Sequence, residues 1–117
     1  MRPILEEQRI HPAVREKISN YRANIVKEVQ DAIAANRIVV VGMRQNPWPR
    51  KARKLLDNAG VPYKYLEYGS YWGQYRTRLV LKLWTGWPTF PMIFVQGVLI
   101  GGFQDLERLI NNGELKP

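Results

Sequence analysis

The sequence predicts an α/β fold with a four-stranded mixed sheet flanked by helices. Three observations carry that expectation. A β-branched run, Ile38-Val39-Val40-Val41, is followed by one helical segment and a second strand over residues 63–68. Strand, helix and strand with short loops imply parallel strands in a right-handed unit. Two apolar runs, Met92-Ile93-Phe94-Val95 and Val98-Leu99-Ile100, flank Gln96-Gly97, the pattern of an antiparallel hairpin. A helical period also runs through Val14, Ile18, Tyr21, Ile25, Val29 and Ile33.

The elements follow in order. Residues 1–11 show no period and read as a tail. Pro12 suits the first position of a helix. The stripe from Val14 to Ile33 keeps one face over about six turns, and Asn36 is a stop signal. Two readings of residues 12–24 stand side by side. They pack on the domain's own surface, or they form an interface, since a stripe longer than one domain face needs another surface. Ile38 to Val41 read as a strand buried on both faces. Residues 42–45 form a loop, and Asn46-Pro47-Trp48-Pro49 opens a helix with Asn46 as N-cap and Pro47 at N1. Ala52, Leu55, Leu56 and Ala59 form its buried face. Arg50, Lys51, Arg53 and Lys54 lie opposite. Gly60 and Pro62 close it. Residues 69–74 are a turn rich in Gly and aromatics, and residues 75–84 read as helical. Leu79, Leu83 and Val80 are assigned inward, Arg76, Arg78 and Lys82 outward, and Thr85-Gly86 ends the helix.

Trp87-Pro88-Thr89-Phe90-Pro91 carries two prolines in five residues, so its backbone is extended and stiff. After the hairpin, Gly101-Gly102 permit close approach of backbone or ligand. Asp105 reads as the cap of a last helix through Leu106, Leu109 and Ile110. Residues 113–117 read as a tail.

The length of 117 residues suits one domain with one core. Hydrophobic residues at 45% and charged residues at 24% are ordinary for a globular chain. No apolar run reaches the ~20 residues that span a bilayer. The stretch MRPILEEQRIH lacks a signal-peptide core, so a cytoplasmic address is expected. With 0 Cys there is no disulfide framework, no thiolate nucleophile and no thiolate metal ligand. With a single His, His11, the chain is a poor zinc or iron protein. The net charge of +8 favours acidic partners, but the basic residues are spread out and no nucleic-acid-binding motif appears.

The Trp-Pro-Thr-x-Pro segment, the apolar hairpin with its Gly turn, Gly101-Gly102 and the closing helix resemble the C-terminal half of glutaredoxins. The Trp-Pro-Thr form is similar to their monothiol branch. The likeness continues upstream to Ile25 and implies a thioredoxin-like fold. Ordinary members have only a short first helix, which corresponds to residues 25–35 here. Residues 1–24 are then a tail and helical extension, and residues 25–117 the glutaredoxin-like domain.

In glutaredoxins the helix after the first strand opens with Cys-Pro-Tyr-Cys or Cys-Gly-Phe-Ser. The first cysteine is the N-cap, where unpaired N–H groups and the helix dipole stabilise its thiolate. The resemblance puts Asn46 at that cysteine, Trp48 at the aromatic position and Pro49 at the second cysteine. An amide does not ionise near neutral pH, does not attack a disulfide and binds iron poorly. It does cap helices well. Pro49 at N3 costs little, because first-turn N–H groups have no partner within the helix. Asn46 thus reads as a stabilising cap, with a direct ligand hydrogen bond as the alternative.

The resemblance also implies a glutathione groove. Phe90, ahead of a cis Pro91, pairs its backbone with the cysteinyl part of the ligand. Gly101, Gly102, Phe103, Gln104 and Asp105 hold the γ-glutamyl end. Monothiol members carry an acid at the position of Gln104. Asp105, one residue on, either substitutes for it or only caps the helix. Arg44, two residues before Asn46, stands close to where dithiol members place the Lys that meets the glycine carboxylate. Arg76 and Arg78 are further candidates, and for each Arg a solvated surface charge is the other reading. Trp48, flanked by prolines at a helix start, reads as a contact residue. Trp72, Trp84 and Trp87 read as packing residues.

These residues imply a redox-inactive, glutaredoxin-like binding module. Its groove and basic helix face hold glutathione, an acidic peptide or a partner protein, and glutathione is the one small molecule expected. Three alternatives stand beside it. A glutathione-dependent enzyme of transferase type needs a Tyr, Ser or Cys donor, and such enzymes carry a helical second domain that is not legible here. A nucleic-acid-binding domain would rest on the charge of Arg50, Lys51, Arg53 and Lys54. An assembly subunit would form a homodimer through its N-terminal helix.

Overall fold

The computed structural model describes residues 11–69 and 74–117. The expected tail over residues 1–10, Trp72 in the aromatic turn, and the side chains of Ile18 and Tyr21 lie outside the described residues. The chain runs α1 (Pro12–Ala35), β1 (Ile38–Gly42), α2 (Pro47–Asn58), β2 (Lys64–Glu67), α3 (Tyr75–Thr85), β3 (Met92–Val95), β4 (Val98–Gly101) and α4 (Phe103–Asn111). The four strands form one sheet in the order β2-β1-β3-β4. β1 is parallel to β2 and antiparallel to β3, and β3 is antiparallel to β4. This is the mixed sheet that the βαβ unit and the hairpin predict.

β1 is buried along its whole length because both faces are covered. Val39 and Val41 pack with Val29, Leu81, Phe94 and the thioether side chains of Met43 and Met92. Ile38 and Val40 pack with Ala52, Leu56, Ile93 and Leu106. So α1 and α3 cover one face of the sheet, α2 and α4 the other. A continuous β-branched run is what a doubly covered strand requires. Burying each such side chain stabilises the fold by about 1.5–3 kcal/mol. At the hairpin turn Gln96 (φ 50°) and Gly97 (φ 80°) are both left-handed, as a type I′ turn demands.

α1 is one unbroken helix of 24 residues. The Nδ1 of His11 accepts the N–H of Ala13 at 3.1 Å, so His11 caps the helix rather than ending a tail. At the other end the backbone and side-chain N–H groups of Asn36 both donate to the Ala32 carbonyl at 3.0 Å. From Ile25 onward the helix packs on the sheet through Ile25, Val29, Ala32 and Ile33. Val14 is 47% exposed, so at that position the extension does not lie on the domain's own surface. The molecule measures 49 × 27 × 26 Å. Tyr68 ties α1 to the end of the sheet, donating its hydroxyl to Glu28 at 2.6 Å.

The structure corrects four sequence expectations. α3 is turned from the expected facing: Leu79 and Leu83 are exposed, while Arg78 and Leu81 are buried, and of the residues assigned inward only Val80 is buried. The cause is Arg78, whose Nη1 donates to the Tyr68 carbonyl at 2.9 Å. A buried charged group with such a partner is tolerable, and it turns Leu81 and Trp84 onto the sheet, where Trp84 stacks on Phe94. β2 is shorter than residues 63–68, although the N–H of Tyr68 still donates to the Gly42 carbonyl at 2.9 Å. Asp105 sits at N3 of α4, with Gly102 as the N-cap. Residues 113–117 are not a loose tail. Leu115 is buried against α2 and α4, and Arg37 donates to the Lys116 carbonyl at 2.8 Å.

Three tyrosines give the fold a pH limit. Burial pushes the Tyr65 phenol up to about 12, with the Arg53 guanidinium opposing and Glu67 adding to the shift. Burial, then the hydrogen bond to Glu28, raises Tyr68 well above the usual phenol range. Burial, then Asp57, raises Tyr63. Each folded phenol holds its proton to higher pH than the unfolded chain does. Their contribution is therefore complete below about pH 10 and is lost as pH rises through the folded values. Denaturation midpoints are expected to fall above about pH 10. The fall should be shallower in Tyr68→Phe, and an unchanged slope would remove Tyr68 from the account.

Candidate functional site: a cleft at the start of α2

A cleft of about 450 Å³ opens where three chain segments meet. Trp48 comes from the start of α2. Trp87, Thr89, Phe90 and Pro91 come from the loop before β3, and Gly102, Phe103, Gln104 and Asp105 from the start of α4. The Phe90–Pro91 peptide is cis, as the resemblance implied.

Asn46 borders this cleft and joins two of its segments. Its Oδ1 accepts the N–H of Trp48 at 3.0 Å, and its Nδ2 donates to the Phe90 carbonyl at 3.4 Å. The first contact is the helix cap read from the sequence. The second ties α2 to the cis-proline segment. Pro47 and Pro49 have no N–H, and that of Trp48 is taken. The first three residues of α2 therefore offer no free donor to an anion. Pro49 is fully buried. A Cβ added at Gly42 would stand 2.6 Å from the Cβ of Pro49, so Gly42 lets the helix close onto β1.

Aromatic and charged groups rim the cleft. Trp48 is 44% exposed. Its ring lies 5.6 Å from that of Phe103, tilted by 52°. The Nζ of Lys51 sits 4.3 Å from the Trp48 ring centroid, and that of Lys82 5.7 Å from that of Phe90. Both are within cation–π range. The Asp105 carboxylate, also in the lining, accepts the N–H of Gly102 at 3.0 Å and lies 3.8 Å from the Arg108 guanidinium. That is the acidic half of a capping box. Among the described residues no three His, Cys, Asp or Glu side chains converge where a metal ion fits.

The candidate residues thus divide. Trp48, Phe90, Pro91, Gly102, Phe103, Gln104 and Asp105 line one cleft, and Asn46 touches it. Gly101 does not line it but shapes the start of α4. Its φ is 114°, and a Cβ there would collide with the Asp105 carboxylate. Arg44 points elsewhere, its Nε 3.5 Å from Glu67 on β2. Arg78 is buried against Tyr68, so neither its ligand reading nor its surface reading holds. Arg76 is exposed and outside the lining. Sequence reasoning missed Trp87 and Thr89. Both belong to the Trp-Pro-Thr segment, which was the available signal. Trp87 packs against the core and lines the cleft at once.

The cleft offers aromatic surface, main-chain polar groups and charges of both signs. Its lining contains no Cys, His or Lys; Thr89 is its one hydroxyl, and Asp105, engaged in the capping box, its one carboxylate.

Comparison with known proteins agrees with this geometry. The family model described as Glutaredoxin matches residues 38–100. A glutaredoxin-like protein of Dictyostelium discoideum is 48% identical over 98 residues, covering 84% of this chain and 80% of that protein. Mitochondrial glutaredoxin-2 of Homo sapiens is 32% identical over 102 residues, covering 86% of this chain and 61% of that one. The crystal structure of a buckwheat glutaredoxin–glutathione complex matches with a TM-score of 0.69 at 24% identity, covering 80% of this chain and 86% of that chain. Oxidized glutaredoxin 2 from Chlamydomonas reinhardtii matches at 0.66 with 26% identity, covering 79% and 87%. By its family match, its relatives and its fold, the chain belongs to the glutaredoxin family.

Proposed function

We propose that this chain is a redox-silent glutaredoxin that holds glutathione or a glutathione-like peptide in the cleft beside Asn46. The observation that carries this reading is the use made of the Asn46 side chain. At the position of the family's catalytic cysteine, its amide caps α2 and reaches the Phe90 carbonyl, while the cis-proline cleft around it stays open. The chemistry is gone and the container is kept. The buckwheat relative, whose structure is a glutathione complex, supports the choice of ligand. The transferase reading is weaker, because the lining supplies only Thr89 as a hydroxyl donor.

A titration with reduced glutathione tests it. Amide resonances of Phe90, Gly102 and Gln104 should shift at millimolar concentration or below, with no reductase activity toward disulfides. Resonances that stay fixed would leave the cleft without this ligand. The weight would then move to the second reading, assembly through the first half of α1. Val14, exposed on that half, favours contact with a second copy or a partner.

A further inference from the structure

We infer that the cleft continues onto the first two turns of α2, and that this extended surface takes an acidic peptide in strand-like form. The inference deepens the proposed function and rests on it for the cleft itself.

The observation is a row of cations that works against its own helix. Arg50, Lys51 and Lys54 are exposed, and none makes an ion pair with a described residue. Arg50 and Lys54 are an i,i+4 pair, and Lys51 and Lys54 an i,i+3 pair. Like charges at these spacings destabilise a helix. They also crowd toward the N-terminal end, where the dipole favours acids, yet the first turn has none. The first acid of α2 is Asp57. A helix selected for stability alone would not carry this pattern, and a bound anion relieves it. Arg53 differs from the other three. Its guanidinium lies over the Tyr65 ring at 4.0 Å and serves packing.

The row joins the cleft directly, since Lys51 sits over the Trp48 ring that lines it. From Trp48 to Lys54 the helix rises about 9 Å. About three residues of extended chain cover that distance. A peptide with its main chain beside Phe90 and carboxylates over the next three positions matches both parts. Peptide is favoured over nucleic acid for two reasons. Asp105 in the cleft lining repels a phosphate backbone passing through, whereas a peptide main chain is neutral there. The row from Arg50 to Lys54 is also only about 6 Å long, which spans one or two phosphates.

The test uses four probes on the whole chain: an N-acetylated peptide of two Gln then three Glu, an all-Gln peptide of equal length, reduced glutathione, and an oligothymidylate. The acidic peptide should bind at least about 10-fold more tightly than the all-Gln peptide. That margin should shrink as salt rises from about 50 to about 300 mM. The combined Arg50→Gln, Lys51→Gln, Lys54→Gln variant should lose most of the margin, and Lys54→Gln alone part of it. Equal affinity for the two peptides overturns the inference, as does an unaltered margin in the variants. Tighter binding of the oligothymidylate overturns it in favour of nucleic acid. Glutathione separates the two levels. Shifts at Phe90 and Gly102 with glutathione but no preference for acid remove only the extension onto α2. Silence with glutathione and with both peptides removes the cleft reading as well.

Discussion

Asn46→Cys is expected to reduce glutathione mixed disulfides at least about 10²-fold faster than the wild-type background. The position is already an N-cap, so the new sulfur stands at the start of α2 beside the Phe90 carbonyl. Its thiolate attacks the glutathionyl sulfur and the substrate leaves as a thiolate. A second glutathione thiolate then attacks the enzyme's mixed disulfide, releasing glutathione disulfide and restoring the cysteine. The protein supplies less help than the family normally does. Only the Trp48 N–H is released to stabilise the thiolate, because Pro49 has none to offer. The thiol pKa should therefore fall below the free value of about 8.5 but stay in the upper part of the range of about 3.5–7.5 seen at helix starts. Adding Pro49→Ala returns a second N–H and should lower it further, read by titrating thiolate absorbance. Asn46→Ser is the control. It keeps a cap oxygen and should stay within about 1 kcal/mol of wild-type stability. A folded Asn46→Cys protein with a lowered thiol pKa and no turnover would show that the cleft does not present its ligand to α2.

Leu81→Ala is expected to cost about 2–5 kcal/mol of stability, while Leu79→Ala and Leu83→Ala each stay within about 0.5 kcal/mol. All three are leucines of one helix, so propensity cannot separate them. Their surroundings do. Leu81 is 1% exposed and packs with Val29, Val41 and Met92, where α1, α3 and the sheet meet. Truncating it leaves a void that this seam is too well packed to close. Leu79 at 47% and Leu83 at 45% exposure have little to lose. Denaturant unfolding of the three variants decides the matter. Large losses at Leu79 and Leu83 with little at Leu81 would mean that α3 is turned the other way.

Legibility in the sequence followed the range of the interactions. The Gln96-Gly97 turn, the Asn46 cap and the stop at Asn36 could be read because each is set by neighbours a few residues away, and β1 because its unbroken β-branched run itself records burial on both faces. α3 was misread because its facing is set by a distant main-chain partner. Arg78 looks like a surface charge until the Tyr68 carbonyl is known to lie beside it. Leu115 was taken for tail because a single apolar residue has no period, and only the closed fold brings α2 and α4 over it. In the cleft, the residues carried by the family's own segments came together. Arg44 was proposed from its place two residues before Asn46, one off the family's Lys, and its Nε instead lies 3.5 Å from Glu67 on the neighbouring strand. Trp87 was assigned to packing when it does two jobs.

The thioethers of Met43 and Met92 are sealed within the interior. Peroxide attacks sulfur where solvent can carry it, so neither is open to conversion to a polar sulfoxide. A ligand in this cleft therefore meets no oxidisable sulfur on the described surface. Oxidation therefore leaves the cleft's own described lining unchanged, and any response to oxidative stress enters through the oxidation state of the ligand.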